Sequence, residues 1–243
     1  MKIAGSGNIA GGDYNEEIAV AGSGKIVGNV KCEQLKSSGT LKSTGDVVCI
    51  EDLKSCGTLN VAGNVKGKRI STSGSAKIGG AVLADEDIKT SGCFFVDEDI
   101  KCAEFYADGS VKAGRGIEAE HVKISGSIVS DGLMNAEKIE MALEGLENKI
   151  ISIGGSEIDI HPGKRASFVN KNVFFQKLVG GILGVLTVDE CIEGDMITLE
   201  YVKAPEVIGR VVKIGPGCEI GTVKYTEDIE ISTSAKVAAN EKI

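Results

Sequence analysis

The sequence contains no tryptophan, only six phenylalanines and four tyrosines, and three prolines in 243 residues. So few large rings argue against a wide aromatic core. The scarcity of proline fits strands whose every backbone N–H must donate to a ladder. Histidine occurs twice, at His121 and His161, which leaves little material for general acid–base chemistry or zinc ligation. No C-x-x-C pair occurs among the seven cysteines, and no G-G-x-G-x-D calcium repeat is present. No apolar run reaches the roughly 18–20 residues needed to span a bilayer. Met1 leads directly into IAGSG with no basic and apolar leader, so reduced thiols and a cytoplasmic location are expected. The formal net charge of −8 disfavours non-specific nucleic-acid binding.

Glycine is abundant, and it is periodic. Gly5, Gly22, Gly39, Gly57, Gly74, Gly92, Gly109 and Gly126 follow one another at a short and nearly constant interval. A period of about 17–18 residues is too small for a pair of helices and matches one turn of a strand solenoid. Taking the repeated glycine as position zero, Ile18, Leu35, Leu53, Ile70, Ile88, Phe105 and Val122 stand at position −4. Leu41, Leu59, Ala76, Phe94, Val111 and Ile128 stand at +2, and Val30, Val47, Val65, Val82, Ile100, Ile117 and Met134 at +8. At +10 a column of small residues holds Cys32, Cys49, Gly67, Ala84, Cys102, Ala119 and Ala136. Apolar pairs two apart lie on one face of a strand, and three pairs per period make a three-sided coil. The fold expected is an all-β, three-sided parallel β-helix with about 17–18 residues per coil. Glycines turn two of its corners, and an acidic, solvated ridge forms the third.

Regular repeats extend over 1–142 and an irregular continuation over 143–160. An apolar excursion from 161 to 190 follows, and β-helix coils resume over 191–243. In the last segment Val212 and Ile229, Ile214 and Ile231, and Ile220 and Val237 keep the same period, although the glycine signature fades. The excursion carries Phe174, Phe175, Leu178, Val179, Ile182, Leu183 and Leu186, several of them four apart as on an amphipathic helix. It reads either as an element packed on the solenoid or as a contact for a membrane or partner.

No constellation supports catalysis. Cys32, Cys49 and Cys102 share a column with alanines and read as small apolar filler. His121 lies on the acidic corner and His161 precedes Pro162 without an orienting partner. No catalytic, cofactor-binding or metal-binding residue is assigned. Lysines form outward columns at +3 (Lys25, Lys42, Lys77, Lys112) and −3 (Lys36, Lys54, Lys89, Lys123), a solvated face or a basic stripe for an anionic lipid or wall polymer.

The stretches AGSGKIVGNVKCEQ, SSGTLKSTGDVVC, TSGSAKIGGAVLA and ISGSIVSDGLMNAEKIE, within residues 1–142, resemble the bactofilins, polymer-forming bacterial cytoskeletal proteins. VVKIGPGCEIGTVKY is similar to the C-terminal part of long Gram-positive members. The resemblance implies a right-handed β-helix that polymerises end to end without nucleotide or other cofactor, and a role in cell shape or envelope organisation. The partner expected is the protein itself, with a membrane surface or envelope-synthesis proteins as further candidates at the inner face of the membrane. The uncapped end coils, represented by Ile3, Ile9, Ile229, Ile231 and Val237, are the expected polymerisation residues. Two rival functions have their own sequence rationale. One is a carbohydrate-active or acyl-transferring β-helix enzyme, and the other a monomeric membrane-surface adaptor anchored by the excursion.

Overall fold

The computed structural model describes residues 1–171, 176, 179 and 182–243, and they fall into two compact units, Met1–Arg115 and Gly116–Ile243. Both are parallel β-helices. The first unit consists of β1 (Lys2–Tyr14), β2 (Ile18–Cys32), β3 (Leu35–Ser43), β4 (Val47–Cys49), β5 (Asp52–Val61) and β6 (Val65–Gly67). It continues through β7 (Arg69–Ile78), β8 (Val82–Ala84), β9 (Asp87–Val96), β10 (Ile100–Lys101) and β11 (Glu104–Ala113). Long strands stack on long strands and short on short, all parallel, β3 on β5 on β7 on β9 on β11 and β4 on β6 on β8 on β10.

Each long strand covers two sides of the coil, bent at the repeated glycine. Its buried positions are the −4, −2, +2 and +4 residues, for example Leu53, Ser55, Leu59 and Val61 in β5. The short strand supplies the third side through +8 and +10, as with Val47 and Cys49. At the bend the repeated glycines from Gly5 to Gly109 have φ between +96° and +132°, a region where a Cβ is strained. They also stack on one another. A Cβ at Gly74 would overlap the Gly57 carbonyl oxygen and stand 3.1 Å from its carbon. Only glycine satisfies both conditions.

The glycines at +6 have a different cause. A Cβ at Gly45 would run into the Asn29 side-chain oxygen, and one at Gly63 into that of Asp46. These side chains form a ladder along the corner: Asp46 N donates to Asn29 Oδ1 (2.9 Å), Asn64 N to Asp46 Oδ1 (2.7 Å) and Ala81 N to Asn64 Oδ1 (2.9 Å). The corner thus satisfies backbone donors that no strand pairs.

The −2 column is an unexpected polar seam. Ser37, Ser55, Thr72 and Thr90 are buried between Val20 and Ala107. Thr72 and Thr90 hydroxyls bond at 3.0 Å, whereas Ser37 and Ser55 Oγ lack a partner among the described residues. Such an unmade bond costs about 1–3 kcal/mol. The apolar columns on either side, including the fully buried Phe94 and Phe105 with ring centroids 6.3 Å apart, offset that loss.

The second unit is built from β12 (Ile117–Glu118), β13 (His121–Leu143), β14 (Asn148–Pro162), α1 (Lys164–Asn170), β15 (Leu186–Val188), β16 (Cys191–Leu199), β17 (Val202–Ile214), β18 (Glu219–Ile231) and β19 (Lys236–Lys242). Its coils vary in length. Ile139 stacks on Ile158, Ile158 on Ile197, Ile197 on Val212 and Val212 on Ile229, unequal steps of which the second takes in the whole excursion. A different column carries glycine here: Gly155, Gly194 and Gly209 lie in register with Ala136 of the +10 small-residue column, outside the left-handed region, and a Cβ at Gly194 would overlap the Gly155 carbonyl oxygen. The periodic matches of Ile214 with Ile231 and of Ile220 with Val237 are ladder partners, as the spacing predicts.

The 161–190 interval has paired strand at both ends. Pro162 pairs with Leu143, and Leu186 is already back in the ladder between Asn148 and Val202. The 143–160 stretch likewise contains most of β14, in register with β13 from Leu133 to Leu143. Glu144 anchors the excursion by accepting the Arg165 N–H (3.0 Å) and Ala166 N–H (2.8 Å) at the start of α1. Asn170 brackets Leu183 with bonds to its carbonyl (2.8 Å) and from its N–H (2.9 Å). At the base, buried Asn148 accepts the Ile128 N–H (3.0 Å) and donates to the Glu144 (3.0 Å) and Val185 (3.3 Å) carbonyls.

Candidate functional site

The two faces of interest are the first coil of the first unit and the last coil of the second. β18 is paired on both sides, but among the described residues β19 pairs only with β18. The inward column therefore opens to solvent at this end. Val223 is fully buried, whereas Ile229 and Val237 are half-buried and Ile231 is 36% exposed. The β19 edge also carries a row of strand N–H and C=O groups facing away from β18, the geometry that accepts another strand. Charges flank it: Arg210 bonds Glu227 (2.8 Å), Lys213 lies 3.4 Å from Glu230, and Lys236 donates to Glu219 (3.1 Å).

At the first coil, β1 pairs with β2 in register from Lys2 to Ala10, with a shift before Gly12. Ile3 is half-buried beside a shallow apolar groove of about 400 Å³, lined by Ala4, Ala19, Ala21 and the stems of Lys2 and Lys36. Ile9, expected among the polymerisation residues, instead stacks in register on Ile26 and is fully buried, so it belongs to the core.

The excursion residues divide. Phe174, Phe175 and Leu178 lie outside the described residues. Leu183 is buried with Ala166 and Val169, with Val179 packed against them, and Leu186 is fully buried in β15. These three face the protein, not a membrane, because the Asn170 bracket turns Leu183 onto α1 and the ladder draws Leu186 into the coil. Ile182 alone of the described candidates is well exposed, at 44%, and shares a groove of about 720 Å³ with Leu146, Tyr201 and Lys203.

Other candidates resolve locally. The acidic corner of the first unit is not a purely solvated ridge. Asp52 is buried and holds both Lys54 Nζ and Arg69 Nε at 2.8 Å, while Lys68 lies 3.5 Å from Glu86. Hydrogen bonds from Lys54 and Arg69 hold the Asp52 carboxyl below its usual range. The −3 lysines are partnered too, Lys36 by Glu17, Lys89 by Asp87 and Lys123 by Glu140. His121 and His161 are exposed, and His161 Nδ1 lies 3.0 Å from the Pro162 carbonyl. Cys32, Cys49, Cys102 and Cys218 are buried, while Cys56 and Cys93 are exposed. Burial pushes the Cys102 thiol up to about 12 and that of Cys218 up to about 11.

Among the described residues no helix is long and apolar enough to cross a membrane. No family model matches the chain, and no solved structure matches it. The chain is similar to two proteins of Bacillus subtilis (strain 168), the uncharacterized proteins YhbF, 32% identical over 112 residues, and YhbE, 33% identical over 112 residues. Each match covers 46% of this chain, and the chain spans less than half the length of these relatives, 42% of YhbF and 44% of YhbE.

Proposed function

We propose that this protein is a non-enzymatic cytoplasmic scaffold that assembles with copies of itself into filaments by stacking end coils, in the manner of the bactofilins it resembles, and so organises cell shape or the envelope. One observation carries the reading: the last coil leaves Ile229, Ile231 and Val237 partly open above a strand edge with no partner among the described residues. A further coil placed about 4.8 Å beyond β19 would complete the ladder and cover those side chains in one step. Stacking of inward apolar columns makes each added interface similar in kind to those inside the unit. Half-buried Ile3 supplies the corresponding element at the other face.

Negative-stain electron microscopy and sedimentation test the proposal. The unmodified protein is expected to form filaments, and Ile231→Arg to remain dispersed with an unchanged far-UV spectrum and melting temperature. A protein that stays monomeric across a wide range of salt and protein concentration would refute self-assembly.

A further inference from the structure

Two buried cysteines stand in a relationship that packing alone does not require. Cys32 closes β2 and Cys49 closes β4, and the two are direct register partners on adjacent parallel strands. Their sulfur atoms lie 3.8 Å apart, with side chains 0% and 3% exposed. Adjacent strands bring such residues to about 4.8 Å, inside the Cα range that a disulfide bridges, about 4.4–6.8 Å. Closing to the S–S bond length of about 2.05 Å asks for only a small movement of the two sulfurs. We propose that Cys32 and Cys49 form a redox site inside the first unit, a dithiol that a hydroperoxide converts into a disulfide stapling consecutive coils.

Several features set this pair apart from the other cysteines. The next coil of the same column carries Gly67, whose missing side chain leaves space: a Cβ there would meet nothing closer than 3.4 Å. Cys102 occupies the same column but is separated from Cys49 by the Gly67 and Ala84 coils, out of bonding reach. The two thiols also differ in acidity. The hydrogen bond with Cys49 lowers the Cys32 thiol, whereas the same bond, followed by burial, raises that of Cys49. Either sulfur can donate in the contact between them, so either thiol can attack first and the other resolve.

The chemistry balances with the peroxide as oxidant. In one order, the Cys32 thiolate attacks one peroxide oxygen, the O–O bond breaks, and the departing oxygen takes a proton and leaves as water or alcohol. The resulting sulfenic acid is attacked by the Cys49 sulfur; the S–S bond forms, the S–O bond breaks, and the hydroxide leaves as water with the Cys49 proton. Two thiols lose two electrons, and one peroxide gains them.

The experiment uses the full chain carrying Cys56→Ser and Cys93→Ser, residues that serine replaces in neighbouring coils at Ser73 and Ser75. Hydrogen peroxide treatment, alkylation under denaturing conditions and peptide mapping are expected to yield a Cys32–Cys49 linked peptide. A phosphine reductant should release it, with Cys102 and Cys218 recovered as thiols. Cys49→Ala, a residue already tolerated in this column at Ala84 and Ala136, should abolish the linked peptide and leave Cys32 as a trappable sulfenic acid. Recovery of both Cys32 and Cys49 as free thiols after peroxide treatment, or their linkage to any other cysteine in preference to each other, would overturn the proposal.

Discussion

Replacing Gly74 by alanine isolates the physical demand behind the repeat. Gly74 has φ +112°, where an L-residue with a Cβ costs about 1–2 kcal/mol. The new methyl would also overlap the Gly57 carbonyl oxygen, a backbone atom that cannot rotate away. Relief requires the two coils to part locally, weakening at least one ladder hydrogen bond worth about 1 kcal/mol. The sum is about 3 kcal/mol, or a fall of about 10 °C in melting temperature for a unit of this size. Gly67→Ala is the matched control: it lies in the same unit outside the left-handed region, and its methyl would be in ordinary contact distance at 3.4 Å. That substitution should be neutral or stabilising by about 0.4–1 kcal/mol through the unfolded chain. Thermal and urea unfolding of the two variants, followed by far-UV circular dichroism, decides the matter. Equal destabilisation by both, or an unchanged Gly74→Ala, would refute the argument that stacked carbonyls impose the glycine.

Three further outcomes follow from local contacts. Phe94→Ala, which empties a fully buried site beside Phe105, should cost about 3–5 kcal/mol in urea unfolding of the intact chain. Asp52 is ionised and held below its usual range by Lys54 and Arg69, so its contribution is present above the unfolded carboxyl value and lost as pH falls through the lowered folded value. Asp52→Asn should therefore destabilise the protein near neutrality and converge with the parent in acid, as read from melting temperature against pH. Glu144→Ala removes the acceptor of two N–H groups at the start of α1, a loss of about 1 kcal/mol confined to the excursion. Hydrogen exchange should speed up across 164–170, while β13 and β14 keep their protection.

The inward columns are legible because they depend on short-range rules. A strand alternates its side chains with period two, and a coil of constant length returns each type to the same place. Leu53, Phe94 and Val47 are core for that reason, as the spacing predicts. The hydroxyl seam is not legible from hydropathy, because Ser37 and Thr72 are polar and such a pattern assigns them outward, although their alternation with Leu35 and Ile70 places them inward. The Asn29–Asp46–Asn64 ladder has a signal too, a polar side chain directly after the +6 glycine, whose meaning emerges only when the coils are stacked. Asp52 reads in the sequence as one more solvated acid because its partner Arg69 is a coil away.

By itself the sequence determined the architecture: a glycine period of about 17–18 residues with apolar pairs two apart has one economical solution, a three-sided parallel β-helix. Only the tertiary structure decided how the irregular half closes. Coils of unequal length, and one long step that takes in the excursion, keep Gly155, Gly194 and Gly209 in one column, a register that no fixed period can find. It likewise decided that Leu183 and Leu186 face inward, that Ile9 is core while Ile231 is not, and that Cys32 meets Cys49. The physical reason is common to all of these. Burial and proximity of a side chain depend on what the neighbouring coil or folded-back segment places against it, and that partner is remote along the chain.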